Sequence, residues 1–278
     1  MSKTYKDWYQ WGQQELLTVG IEEAALDARL LLEYICRTDR NTLLVHGDRS
    51  LSPFEEQMYQ NSIATRKNRI PLQHITGEQE FMGLTFRVNE NVLIPRQDTE
   101  ILVEEALRFL KDGDRILDVC TGSGCILLSL LHYSNECHGV GVDLSENALA
   151  IAKENGERLE EEAEWVCSDM LKALPKQTFE LIVSNPPYIP TQVIPTLMEE
   201  VKSHEPYMAL DGKEDGLYFY RKLVEQCPDY LAKEGMLLVE IGYDQAEAVS
   251  KLFSEAGFTD VTVMKDLAGL DRVVAGRK

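Results

Sequence analysis

The stretch Ser184-Asn185-Pro186-Pro187-Tyr188-Ile189-Pro190 carries a chemistry in its residue types. Two consecutive prolines fix the backbone and remove two N–H donors. The residue ahead of a proline is pushed to an extended conformation, which here is Asn185. What remains is a rigid turn with two acceptors, the Asn185 side-chain oxygen and the Pro186 carbonyl, and no backbone donor competing beside them. Such a turn suits a planar NH2 group, which has two hydrogens to give. The nitrogen of an amide or aromatic amine is a poor nucleophile because its lone pair is delocalised. Two accepted hydrogen bonds would hold it in line with a sulfonium methyl and stabilise positive charge as it grows on nitrogen. Tyr188 would stack on the flat group and fix its plane. The chemistry needs neither metal nor strong base, because the methylated nitrogen becomes acidic and loses its proton to water. The plainer reading is an Asn-Pro turn followed by an exposed tyrosine.

A second set of residues could hold the methyl donor. Asp118-Val119-Cys120-Thr121-Gly122-Ser123-Gly124-Cys125 sits where an apolar strand runs into a helix. Glycines at such a turn let the backbone approach a ligand at a helix N-terminus. A dinucleotide site would continue to GxGxxG, but position 127 is Leu. A ligand without a pyrophosphate, such as S-adenosylmethionine, fits better. The next strand ends at Asp143, 19 residues after Gly124, where a carboxylate can accept from both ribose hydroxyls. Ser145 is available to cap the following helix, which frees Asp143 for that task. The third strand ends in Asp169-Met170, placed to accept from an adenine amino group and to cover its ring. Each strand end alone reads as an ordinary turn, cap or loop. Three in succession point to one ligand along the carboxyl edge of an α/β sheet.

The elements that must position these residues follow from periodicity. Residues 1–70 read as helices, with apolar residues from Trp8 to Leu17 and from Ala24 to Ile35 at helical spacing. A turn is expected at His46-Gly47-Asp48, then a helix opened by Ser52 as N-cap with Pro53 at its first position. Residues 80–88 read as a hairpin broken at Gly83. Helix is predicted over 99–110, 126–132, 146–159, 218–231 and 245–256. Strand is predicted over 116–120, 139–143, 165–167, 179–184, 236–241, 258–265 and 272–275. The alternation argues for a mostly parallel, doubly wound sheet. The loop 266–271 is too short for a parallel crossover, so the last two strands should be antiparallel.

Composition narrows the partners. The chain has 278 residues, of which 44% are apolar and 27% charged, so a sizeable core can be buried. The net charge is −19, divided as −1 over residues 1–70 and −18 over residues 71–278. Proteins that grip nucleic acid by its phosphates show a basic face, and the one dense basic cluster here is Arg66-Lys67-Asn68-Arg69. A protein or small-molecule partner is favoured. Apolar runs fall short of the ~20 residues of a membrane span, and the N-terminus lacks the apolar region of a signal peptide. Cysteines 36, 120, 125, 137, 167 and 227 form no CxxC pair. The expectation is a cytoplasmic protein with free thiols and no metal site.

These residues place the chain in the Asn-Pro-Pro-Tyr group of class I methyltransferases. The flanking sequence resembles one family in that group, the protein-(glutamine) methyltransferases of peptide chain release factors, often called HemK or PrmC. The resemblance rests on Pro71–Gly77, Glu80-Phe81, Val92–Glu100, Glu205–Gly212 with Asp215–Leu217, Glu240–Gly242 with Gln245, and Lys265–Arg272. It covers nearly the whole chain. It implies a Rossmann-like class I α/β fold, with a seven-stranded, mostly parallel sheet whose last strand is antiparallel. It also implies a helical substrate-recognition domain (1–72), a β-hairpin linker (73–97) and a catalytic domain (98–278). The implied reaction moves methyl from S-adenosylmethionine, leaving S-adenosylhomocysteine, to the glutamine of a Gly-Gly-Gln motif in class I release factors. By the family pattern the cofactor would touch Cys120, Thr121, Gly122, Ser123, Gly124, Asp143, Asp169, Met170 and Asn185. Asn185, Pro186, Pro187 and Tyr188 would hold the glutamine, and Arg96–Glu100 would pack near the methionine end of the cofactor. No direct contact with nucleic acid or membrane is implied.

The chain departs from the pattern at Gln97 and Asp98 (usually Pro and Glu), Cys120 (usually Gly), Cys125 (usually Ala) and His74 (commonly Tyr). The Cys120 thiol is expected to point into the core rather than crowd the cofactor. Rival readings share the chemistry on another substrate: a glutamine of a ribosomal protein, or an adenine-type amine in nucleic acid. A cofactor-binding module without turnover would have no need of Asn-Pro-Pro-Tyr, and a dehydrogenase would need the third glycine that this chain lacks.

Overall fold

The computed structural model describes residues 3–278. Met1 and Ser2, the first two residues of the expected helical domain, lie outside them. The chain divides into two units, Met1–Gly77 with Met198–His204, and Glu78–Leu197 with Glu205–Lys278.

The first unit carries α1 (Tyr5–Leu17), α2 (Ala24–Cys36), α3 (Arg40–Val45), α4 (Pro53–Lys67) and α5 (Leu72–Thr76). Local signals set the helix starts. Thr4 with Asp7, and Ser52 with Glu55, form reciprocal capping boxes, and Pro53 takes the first position of α4 as expected. Leu16, Ala28, Leu31, Leu32 and Ile63 bury their side chains around Tyr59, whose hydroxyl donates to the Ala28 carbonyl at 2.9 Å. Gly12 makes room for that ring, since a Cβ there would lie 2.2 Å from the tyrosine oxygen.

The second unit opens with the hairpin β1 (Glu78–Phe81) and β2 (Leu84–Arg87). Met82 and Gly83 both take positive φ, 52° and 71°, the turn whose twist matches a two-residue hairpin. After it come α6 (Gln97–Leu107), β3 (Arg115–Val119), α7 (Cys125–His132), β4 (His138–Asp143), α8 (Glu146–Leu159), β5 (Ala163–Cys167) and β6 (Phe179–Ser184). The short helices α9 (Glu199–His204, within the first unit) and α10 (Tyr207–Leu210) follow. The chain closes with α11 (Tyr218–Gln226), β7 (Leu231–Glu240), α12 (Ala246–Glu255), β8 (Thr259–Lys265) and β9 (Asp271–Arg277).

The seven strands of the main sheet lie in the order β5-β4-β3-β6-β7-β9-β8. All pairs are parallel except those of β9, which is antiparallel to both neighbours. The strand order reverses between β3 and β6, which opens a crevice at their carboxyl ends. Val119 pairs with Val142 on one side and Ser184 on the other, so the turns at 120, 143 and 185 emerge level on one edge. Buried apolar residues pack on both faces of the sheet, as a doubly wound sheet requires.

One expectation is corrected. The helix predicted over 218–231 ends at Gln226, and Cys227–Asp229 tighten into a 3₁₀ turn. Pro228 donates no N–H and disfavours helix at the residue before it. Leu231 therefore opens β7, five residues ahead of the predicted 236. The basic cluster at 66–69 forms no free cationic face. Arg66 is buried and pairs with Asp27 at 2.8 Å and with Glu200 at 3.1 Å. Arg69 also reaches Glu200, and Lys67 pairs with Glu15. Among the described residues no helix is long and apolar enough to cross a membrane.

Candidate active site

A cavity of about 310 Å³ opens at the crevice between β3 and β6. That volume falls at the low end of small-ligand sites. Cys120, Thr121, Gly122 and Ser123 form one wall, Asp143 and Leu144 the next, and Ser168, Asp169 and Met170 the third. Asn185 and Pro187 face them, with Pro95, Arg96 and Thr99 alongside. Gly124, Pro186 and Tyr188 stand outside the lining.

The turn after β3 is held by backbone bonds. Thr121 N–H donates to Val142 O at 3.0 Å, and Gly124 N–H to Thr121 O at 2.9 Å. Gly122 and Gly124 take φ of 56° and 79°, and Cys120 takes 63°. A side chain at Gly124 would press on Trp165 at 3.0 Å, whereas one at Gly122 would meet no protein atom within 4 Å. The Cys120 thiol packs against the core and also borders the cavity, so it does both things that the sequence reading set against each other. Burial raises its pKa and keeps it protonated.

Asp143 is free of the helix cap, because Ser145 caps α8 through Ala148 N–H. Its carboxylate instead accepts from Gly122 N–H and Ser145 N–H, both at 2.9 Å. Burial pushes its pKa up and those amides pull it back. Each oxygen keeps further acceptor capacity, which fits the paired hydroxyls of a ribose. Met170, buried at φ 53°, adds an apolar wall. Asp169 also lines the cavity, and its carboxylate pairs with Lys172. An acceptor diol clamp, an apolar slot and a glycine turn without a pyrophosphate loop suit S-adenosylmethionine.

On the other side of the crevice, Asn185 Nδ2 donates to Thr99 Oγ1 at 3.3 Å. Tyr188 is half-buried, and its hydroxyl donates to Glu240 Oε1 at 3.2 Å. Glu240 lies in the interior at the end of β7. Burial raises its pKa to about 7, while Thr99, Arg272 and Tyr188 pull the other way. Arg272 reaches Asp98 at 3.1 Å and Asp266 at 3.0 Å, so Asp98 serves as an ion partner where the family usually has Glu.

The Tyr188 backbone is enclosed. Its carbonyl accepts from Gln245 Nε2 at 3.1 Å, and Gly212 N–H donates to Ile189 O at 2.8 Å. A Cβ at Gly212 would lie 2.7 Å from Tyr188 C, and one at Gly216 would lie 2.4 Å from Tyr188 O. Those glycines therefore serve the turn.

Sequence reasoning missed Thr99 as a partner of Asn185, Glu240 as the anchor of Tyr188, and Asn155. Asn155 is fully buried, accepting from Arg87 N–H at 2.6 Å and donating to Arg87 O and Ser123 O. It ties the hairpin to the turn after β3. Glu205, also buried, accepts from Ile94 N–H at 3.4 Å and pairs with Arg96, which anchors the Pro95-Arg96 wall. Glu240 and Glu205 stood in the segments that carried the family resemblance. An isolated Asn155 in a helix gave no signal.

Residues 7–77 match the family model described as the PrmC N-terminal domain, and residues 97–202 match the Methyltransferase small domain. The chain is 44% identical over 267 residues to the release factor glutamine methyltransferase of Geobacter sulfurreducens, covering 96% of this chain and 94% of that one. It is 41% identical over 279 residues to the protein of the same name from Clostridium botulinum, covering 98% and 99%. A solved methyltransferase from Pyrococcus furiosus aligns with a TM-score of 0.56 at 18% identity, covering 77% of this chain and 98% of that one. At that identity the likeness speaks for the fold.

Proposed function

The chain belongs to the release factor glutamine methyltransferases, and on that premise we propose that it methylates the side-chain amide of the Gly-Gly-Gln glutamine in class I release factors, with the Asn185 turn holding that amide. S-adenosylmethionine, when bound, supplies a methyl group activated by its sulfonium. Everything else falls to residues of this chain. Asn185 Oδ1 and the Pro186 carbonyl accept from the two amide hydrogens and keep the nitrogen facing the cavity. Those acceptors bind more strongly as positive charge builds on nitrogen, so they favour the transition state over the ground state. Tyr188, tied by its hydroxyl to Glu240, fixes the plane of the amide. Loss of a proton to water restores a neutral amide.

Asp143, the Cys120–Gly124 turn and Asp169-Met170 take the cofactor. The observation that carries the reading is the Asn185 amide, anchored on its nitrogen side and lining the same cavity as Asp143. The −18 net charge of residues 71–278 supports a protein substrate over a nucleic acid. We assign residues 1–72 to recognition of the release factor away from its glutamine. Leu44, Val45 and Phe54 are 72%, 73% and 74% exposed there, and apolar side chains offered to solvent suit a protein surface.

The test is transfer of labelled methyl to a purified class I release factor, beside the same factor with its Gly-Gly-Gln glutamine changed to alanine. Label on the first alone is expected. Label on both would place the target elsewhere, and label on neither would move the substrate to a ribosomal protein or a nucleic-acid amine.

A further inference from the structure

Asn155 stands on α8, fully buried and outside the lining of the cavity. Its amide is engaged on three sides. Oδ1 accepts from Arg87 N–H at 2.6 Å, and Nδ2 donates to Arg87 O at 3.1 Å and to Ser123 O at 2.9 Å. A backbone N–H only donates and a carbonyl only accepts, so these partners fix which way the amide faces. Arg87 ends β2, and residues 88–96 run on from it. Val88 and Val92 pack on Ala148 of α8, with Ile151 beside them. Asn91, Val92, Leu93 and Pro95 then line the cavity. Ser123 belongs to another wall, the turn after β3. One side chain therefore brackets two walls of the site, the root of the 88–96 segment and the backbone of the glycine turn. The far end of the segment is anchored separately, by Glu205 on Ile94 N–H.

We propose that Asn155 is a positioning residue for the cofactor, setting the gap between the turn after β3 and the 88–96 segment without touching the ligand. The proposal rests on the reading of the cavity as the S-adenosylmethionine site. A backbone group that loses its partner in the interior still needs a hydrogen bond. Without the asparagine amide, Ser123 O and both backbone groups of Arg87 must shift to find one. A shift of either wall changes the gap into which the cofactor fits. The Asn185 turn is held by other means, its prolines and Thr99, so the effect belongs in cofactor affinity rather than in turnover. A staple of the hairpin alone would act differently. The hairpin has such a staple at its tip, where Met82 N–H donates to Glu100 at 2.7 Å and the Tyr133 hydroxyl donates to Met82 O at 2.6 Å. None of those three residues lines the cavity, and the tip serves as the control.

Asn155→Leu removes all three bonds at similar volume. Asn155→Ser is smaller, keeps one hydroxyl and carries the test if the leucine variant does not fold. Tyr133→Phe loosens the hairpin tip alone. Three readings are taken on each: Tm, Kd for S-adenosylhomocysteine by calorimetry, and kcat and KM with S-adenosylmethionine varied. The Asn155 variants are expected to raise Kd and KM about 10-fold, the scale of one lost hydrogen bond, with kcat at saturation unchanged. Tyr133→Phe is expected to lower Tm and leave Kd at the wild-type value. A further reading needs no variant, the hydrogen exchange of the wild-type protein with and without S-adenosylhomocysteine. Bound product is expected to slow exchange at Arg87 N–H more than at Met82 N–H, because the ligand holds the turn to which Asn155 is bonded. Asn155 variants with a lower Tm but wild-type Kd and KM would overturn the proposal, as would a loss confined to kcat. Equal loss of affinity in Tyr133→Phe, or equal slowing of the two amides, would reduce Asn155 to a staple of the hairpin. Calorimetry and exchange decide the matter even if a release factor is not the substrate. A wild-type protein that binds no S-adenosylhomocysteine would remove the cofactor reading itself, and the proposal with it.

Discussion

Two sides of one crevice are built by different means. The turns after β3, β4 and β5 are held largely by backbone bonds and backbone conformation. Thr121 and Gly124 donate to carbonyls, Ser168 N–H reaches Asp143 O at 2.9 Å, and Cys120, Gly122, Gly124 and Met170 all take positive φ. The turn after β6 is fixed by prolines and held from behind by side chains, Asn185 on Thr99 and Tyr188 on Glu240. A site that grips a ligand of fixed shape can be made of rigid backbone. A site that stabilises charge as it develops needs side chains whose hydrogens point one way. Damage should accordingly appear in affinity on the first side and in turnover on the second.

Asn185→Ala against Asp143→Ala gives the widest separation. The first is expected to lower kcat by about 1000-fold, the scale of removing a pre-organised polar group from a transition state, with cofactor affinity little changed. The second removes the acceptor shared by Gly122 and Ser145 N–H. It should raise the KM for S-adenosylmethionine while kcat at saturation stays within about tenfold. Steady-state kinetics with both substrates varied would decide. A loss of kcat in both variants would erase the division.

Glycine substitutions test the enclosure of the turn. Gly216→Ala puts a methyl group 2.4 Å from Tyr188 O at φ 74°, and urea unfolding should show a loss of about 2–4 kcal/mol. Gly113→Ala has φ 82° but no neighbour within 4 Å, so only the backbone term of about 1–2 kcal/mol applies. Equal losses would mean that the contact with Tyr188 relaxes freely.

pH should separate the two sides through a pair of buried carboxyls. Burial raises both Glu240 and Asp118 to about 7, from 4.5 and 3.8. A carboxyl raised in the folded state binds more protons there than in the unfolded chain. Its stabilising contribution is full below the unfolded pKa and is lost as pH rises through the folded value. Both residues should therefore weaken the fold between about pH 4 and 7. Only Glu240, which faces Thr99, Tyr188, Arg272 and Asp98, should impose a rise in kcat over the upper part of that range, as its carboxylate forms and holds the Tyr188 hydroxyl. Glu240→Gln should flatten both profiles. Asp118→Asn should flatten the stability profile, move the cofactor KM through the Thr121 hydroxyl that Asp118 accepts at 2.6 Å, and leave the pH dependence of kcat intact.

The same division explains what could be read from the sequence. Alternation of apolar strands and amphipathic helices specified the sheet, and the short 266–271 loop specified the antiparallel β9. Asn185, Asp143 and the glycine turn announced themselves because strand ends and prolines restrict the backbone locally. Thr99, Glu240 and Asn155 did not, because their partners lie 86, 52 and 68 residues away. The sequence of one element carries no trace of a hydrogen bond to another. The helix over 218–231 was overextended because apolar spacing continued through Leu231, where Pro228 had already stopped it.

Cys120 tests the backbone side with the smallest expected effect. Its φ of 63° is the left-handed region, which costs an L-residue about 1–2 kcal/mol. Glycine would remove that strain but adds about 0.5–1 kcal/mol of chain entropy to the unfolded state, and it gives up the packing of the thiol against the core. Cys120→Gly should thus gain a few tenths to about 1 kcal/mol, a rise in Tm of about 1–4 °C for a domain of this size. Affinity for S-adenosylhomocysteine should stay level or increase, since the thiol borders the cavity. A drop in Tm would show that its packing outweighs the strain. The cysteine would then be a core residue that tolerates a turn built for glycine.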